Sequence, residues 1–148
     1  MHDFIVATEC AIEHGGKFLI IKRPEGVHAG GLLSFPGGKF ETSDAIGNDD
    51  AAKQAVRREV LEEVGLDLID PINYVRTSCF PDEKNNKQVL DIIYHCRLEK
   101  TNIAVIPSSR EVSEYYWLSY EEIINAPNCP DWLKSYMHAS FELETYNS

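Results

Sequence analysis

Arg58, Glu59, Glu62 and Glu63 crowd into one short stretch, RREVLEEVGL, which runs from Arg57 to Leu66. On a helix the three glutamates stand at i, i+3 and i+4, so their carboxylates gather on one face within an arc of about 100°. Like charges at that spacing repel by a few tenths of a kcal/mol per pair, roughly, and by more where water is partly excluded. A compensating charge is therefore expected. One compensator is a divalent cation: three hard oxygen donors on a rigid face suit Mg²⁺ or Mn²⁺, which keep positions open for water and phosphate oxygens. The other is Arg57 with Arg58, which would make the segment an acidic, solvated helix end. Val56, Val60 and Val64 form the adjoining apolar stripe, which puts the acids at the border between core and cleft.

The elements that must position this face follow from the rest of the chain. FIVATECAIEH and KFLIIKR are β-rich runs flanking Gly15 and Gly16, which predicts an opening hairpin. PEGVHAGGLLSFPGG, with five glycines and two prolines in fifteen residues, reads as an irregular loop that brings backbone close to a ligand. Asn48, Asp49 and Asp50 are candidate caps for a helix from about Asp50 to Val64. LIDPINYVRTSCF and QVLDIIYHCRL read as strands around the loop PDEKNNK, EYYWL as a short strand, SYEEIINA as a capped helix and PDWLKSYMHASFELE as a terminal helix. Mixed strands with a few long helices predict an α/β sandwich, a sheet between helices.

Length and composition narrow the class. At 148 residues, with 43% hydrophobic and 26% charged residues, the chain is expected to fold as one globular domain, 1–148. A formal charge of −10 repels a nucleic-acid polymer, so a small anionic substrate has to be drawn in by local cations. The start, MHDFIVATEC, lacks the pattern of a signal peptide, and no apolar run approaches the roughly 20 residues that span a membrane, which predicts a cytoplasmic protein. Cys10, Cys79, Cys96 and Cys129 lie far apart and read as reduced thiols; His14, His95 and His138 read as structural or solvated.

FPGGKFE followed by REVLEEVGL resembles the signature of the Nudix hydrolases, G-x5-E-x7-R-E-U-x-E-E-x-G-U with U a bulky aliphatic residue. Arg58 to Leu66 fill its second half without a mismatch. The first half departs: counting back from Arg58 the first glutamate becomes Asp50, counting forward from Gly38 it becomes Asp44, and about six extra residues lie within 42–49. Asp50 is preferred, because an acid in the first helical turn suits the helix dipole. The resemblance implies a Nudix-like α/β/α sandwich with a mixed sheet and hydrolysis of a diphosphate linkage in a nucleotide, with Mg²⁺ or Mn²⁺ as cofactor. It also implies that Glu59, Glu62 and Glu63 hold metal together with a carbonyl of Gly37 or Gly38, that Arg58 orients the glutamates, and that a later acid assists. Glu111, six residues before Trp117, is the preferred choice for that acid over Glu114.

Substrate class divides two ways by resemblance. Pro81, fifteen residues past Leu66, matches a proline of ADP-ribose pyrophosphatases. The MutT-like branch, which acts on nucleoside triphosphates including oxidised guanine forms, is similar at more positions: Arg23, His28, Lys39 within FPGGK, the FPD of CFPDE, and Asn128 two residues before Pro130. An amide both donates and accepts, which suits Asn128 to a purine edge. A Nudix domain that binds a nucleotide as a sensor without cleaving it is the reading from another class.

Overall fold

The computed structural model describes residues 3–26, 29–47 and 50–147. Strands β1 (Phe4–His14) and β2 (Lys17–Lys22) form the expected hairpin. Gly15 and Gly16 both hold positive φ, 60° and 78°, a backbone conformation that side chains with a Cβ resist. The glycine-rich loop is more ordered than its composition suggests: it contains two short strands, β3 (Leu33–Ser34) and β4 (Gly37–Lys39). A 3₁₀ turn at Thr42–Ala45 precedes α1 (Ala51–Val64); then come β5 (Ile72–Asp82), β6 (Lys87–Arg97), β7 (Glu114–Leu118), α2 (Tyr120–Ile124) and α3 (Asp131–Asn147).

The seven strands make one mixed sheet in the order β3-β2-β1-β6-β5, with β4 added beside β1 and β7 beside β2. β1 and β6 run parallel through the centre and the other pairs are antiparallel. Side chains two apart on a strand share a face, and the two faces carry separate cores. Cys10, Ile12, Leu19 and Ile21 pack with Val56, Val60 and Val64 of α1, as the apolar stripe predicts. Ala11, Phe18, Ile20, Phe35 and Ile93 pack with Leu133, Tyr136 and Met137 of α3. The result is the expected sandwich, α1 on one side and α3 on the other.

Local chemistry sets the ends. Asp50 caps α1 by accepting from the Lys53 amide, and Gly65 closes it in the left-handed conformation at φ 71°. Ser119 and Glu122 form a capping box on α2, so SYEEIINA folds as its residues dictate. Pro81 and Asp82 lie within β5, not in the loop to which they were assigned; β5 is an edge strand, where a missing N–H is tolerated. Among the described residues no helix is long and apolar enough to cross a membrane.

Candidate active site

The last two turns of α1 lie against the β4 strand, and this contact assembles the acids. Glu59 and Glu63 are buried, 9% and 5% exposed, while Glu62 points outward. The Gly37 amide donates to Glu63 Oε1 at 3.0 Å. A Cβ on Gly38 would stand 2.2 Å from Glu59 Oε2, so only a glycine lets the carboxylate approach the strand. The same holds for Gly37 on its other side, where a Cβ would meet the Thr8 carbonyl oxygen at 2.0 Å.

Arg58 is the hub of this face. Its Nε donates to Asp44 Oδ1 at 2.8 Å and its Nη2 to Asp44 Oδ2 at 3.0 Å, a two-pronged clasp. Nη1 donates to Glu59 Oε1 at 2.9 Å and Glu62 Oε2 at 3.1 Å, and Nη2 also reaches the Lys39 carbonyl at 3.0 Å. Asp44, 2% exposed, is held in turn by the Glu41 amide at 2.8 Å. The Arg58 hydrogen bonds keep its carboxyl below the usual range. The preference for Asp50 is corrected here: Asp50 spends its side chain on capping α1, and Asp44 takes the place beside Arg58. Asp44 stands fourteen residues before Arg58, so the additional residues fall in the sequence between Asp44 and α1. Arg57 faces elsewhere, toward Cys10 and Cys96.

Glu111 arrives from the other side. The strap after β6 ties itself to the end of α1: the Ile106 amide donates to the Val64 carbonyl at 2.8 Å and the Ser108 amide to the Glu63 carbonyl at 2.7 Å. These bonds satisfy carbonyls that a helix end leaves open. They also place Glu111 near enough to raise the pKa of both Glu63 and Glu59 by repulsion. Burial, the larger cause, and Glu111 together push the Glu63 carboxyl up to about 8, against the Gly37 hydrogen bond that holds it down. Glu114, the competing acid, accepts from the Tyr116 hydroxyl.

The expected substrate contacts are only partly gathered. Arg23 lies close enough to lower the pKa of Glu63, and its backbone is tied to Gly31 and Leu32 across the loop. Lys39 pairs with Ala7, which puts its side chain on the α3 face of the sheet. Asn128 donates through Nδ2 to the Gly31 carbonyl at 3.1 Å, so it pins the same loop. His28 lies outside the described residues. A groove of about 540 Å³, lined by His14, Lys17, Asn102 and Trp117 among others, sits at the far end of the hairpin and touches none of these residues.

A model of the NUDIX domain matches residues 4–139. The chain belongs to the Nudix hydrolase family. Within it the likeness is to MutT: a MutT protein from Methanosarcina mazei Go1 superposes with a TM-score of 0.76 at 25% identity, covering 97% of this chain and 96% of that one. An 8-oxo-dGTP diphosphatase of Proteus vulgaris is 39% identical over 64 residues, 43% of this chain and 51% of that protein. The matched stretch thus spans about half the length of this curated relative. The NUDIX domain of Shewanella oneidensis NrtR, solved in complex with ADP ribose, has the same fold at 15% identity, with a TM-score of 0.76 and coverage of 97% and 90%.

Nudix hydrolases generally use divalent metal ions, and the residues present fit one. Glu59, Glu62, Glu63 and Glu111 act on one another electrostatically here, and burial, with repulsion from Glu111 and Glu59 added to it, pushes the Glu63 carboxyl up to about 8. A hard cation relieves that repulsion. Among the described residues the acids are not already drawn into a ligand cluster. Glu59 and Glu62 each give an oxygen to Arg58, and Glu63 gives one to Gly37. Gly38→Ala tests the close approach of strand and helix. The added methyl displaces the flexible end of Glu59, so kcat should fall by roughly tenfold while Tm moves by no more than about 2 °C. A variant as active as the parent would show that the Glu59 position is not needed.

Proposed function

We propose that this Nudix hydrolase cleaves a nucleoside triphosphate to the monophosphate and pyrophosphate, an oxidised purine nucleotide being a preferred substrate. The observation that carries this reading is the pair of buried acids Glu59 and Glu63 against the Gly37–Gly38 strand, with Glu62 beside them on Arg58, Glu111 within electrostatic reach and the Arg58–Asp44 clasp ordering the face. The partial likeness to an 8-oxo-dGTP diphosphatase supports the substrate class.

Glu59, Glu62 and Glu63 would hold the divalent cation, with a Gly37 or Gly38 carbonyl beside them. When bound, that ion, Mg²⁺ or Mn²⁺, would neutralise phosphate oxygens and acidify water. Arg58 fixes the orientation of the glutamates. Glu111 takes the proton from the attacking water, and Arg23 and Lys39 offer positive charge to the phosphates. Asn128 faces the base with whatever amide capacity its bond to Gly31 leaves.

The test is a nucleotide panel with Mg²⁺ and product analysis. Triphosphates should yield monophosphate and pyrophosphate, and Asn128→Ala should raise KM for purine triphosphates about 5- to 100-fold, a loss on the order of 1–3 kcal/mol. ADP-ribose turned over far faster than every triphosphate would move the assignment to the Pro81 reading; binding without turnover would move it to a sensor. Glu111→Gln should depress kcat more than KM and remove the acid limb of the pH–rate profile, whereas Glu114→Gln should do neither. The reverse pattern would transfer the role to Glu114.

A further inference from the structure

Glu9 and Asp91 are acids in the middle of the two central strands, where a sheet packed on both sides ordinarily carries apolar residues. Ala11 and Ile93, two residues farther along the same strands, belong to the core under α3, so Glu9 and Asp91 face α3 as well. The register sets Lys39, Ala7, Asp91 and Ser78 in one row across four strands, with Gly37, Glu9 and Ile93 in the next. Glu9 is therefore one step across the strand edge from the acidic face of α1. Arg23 tempers the charge of Glu9 and Glu63 alike, which places it near both.

The pair is built into the sheet. Asp91 is 4% exposed, and the Tyr136 hydroxyl donates to its Oδ2 at 3.5 Å. Its Oδ1 is fully buried and meets no donor from the described residues. Glu9 is half-buried and its carboxyl lies against that of Asp91. An uncompensated buried carboxyl oxygen weakens a fold that an apolar residue would strengthen.

We propose that Glu9, backed by Asp91 and Tyr136, is a specificity-determining residue of the nucleotide cleft, accepting the adjacent ring N–H and exocyclic amino group of a guanine-type base. This rests on the nucleoside triphosphate reading above. A carboxylate offers two acceptors side by side, and the Watson–Crick edge of guanine offers two donors side by side. Hypoxanthine lacks the amino group, and thymine and uracil offer a single N–H between two carbonyls. Oxidation at C8 leaves this edge unchanged, so an oxidised guanine is read by the same contact. Asp91 acts through Glu9 and is a positioning residue.

The experiment compares kcat/KM for guanosine and inosine triphosphates, which differ only in the amino group. The unmodified protein should favour guanine by about tenfold or more, and Glu9→Gln should bring the ratio to within about twofold. Asp91→Asn should narrow it too, through KM and not kcat. Calorimetric binding of the two monophosphates to the unmodified protein gives the same comparison without a variant. Equal rates or affinities for guanine and hypoxanthine forms would overturn the inference alone. Failure of the unmodified protein to hydrolyse any triphosphate would overturn both it and the reading beneath it.

Discussion

Glu63→Gln should lower kcat by roughly 10²-fold or more and leave the fold standing. Glutamine keeps the acceptor that takes the Gly37 amide, so strand and helix stay joined; the negative charge alone is removed. Glu62→Gln should lose a similar factor if its exposed carboxylate is a ligand, and thermal unfolding of both should match the parent. A proton competes with the cation for Glu63, whose carboxyl is pushed up to about 8. Below that pH the metal concentration giving half-maximal rate should therefore rise by about tenfold per pH unit. Unchanged turnover in both variants would return this face to a solvated, arginine-neutralised helix end.

Arg58→Ala should cost stability as well as rate. It strips the clasp from Asp44 and one hydrogen bond from Glu59, leaving a buried carboxylate unpaired, a loss of about 3–5 kcal/mol. Arg58→Lys should recover only part, because an ammonium cannot make the fork. The sign of the pH dependence follows from Asp44. Its carboxyl is held low in the folded protein, so its contribution is present above the unfolded value of about 3.9 and is lost as pH falls through the folded one. The stability gap between the protein and Asp44→Asn, measured by denaturant titration, should therefore close in acid. A gap that widens below pH 4 would contradict the clasp.

Periodicity made most of the frame legible. Val56, Val60 and Val64 announce the buried stripe of α1, and the glycine pair at 15 and 16 announces the hairpin. The acidic face was visible because i, i+3, i+4 spacing is a property of one helix. What escaped depends on contacts between segments. Asp50 has the chemistry of a cap and performs it, but capping says nothing about which acid a distant arginine will grip. Asp44 won through the 3₁₀ turn, whose backbone pre-sets its carboxyl. β3 and β4 were hidden because glycine and proline read as loop until a neighbouring strand supplies partners. Glu9 and Asp91 did leave a signal: an acid amid β-branched and apolar residues in FIVATECAIEH and again in QVLDIIYHCRL.

The strap from Ile106 to Ser108 binds the fate of Glu111 to that of α1. Its amides hang on the carbonyls of Glu63 and Val64, so hydrogen exchange at Ile106 and Ser108 reports the opening of the helix end itself. When the last turn frays, Glu63 leaves the Gly37 amide and the strap loses its anchor in the same event. The two halves of the acidic face thus come and go as one cooperative unit, and a partly opened molecule holds neither.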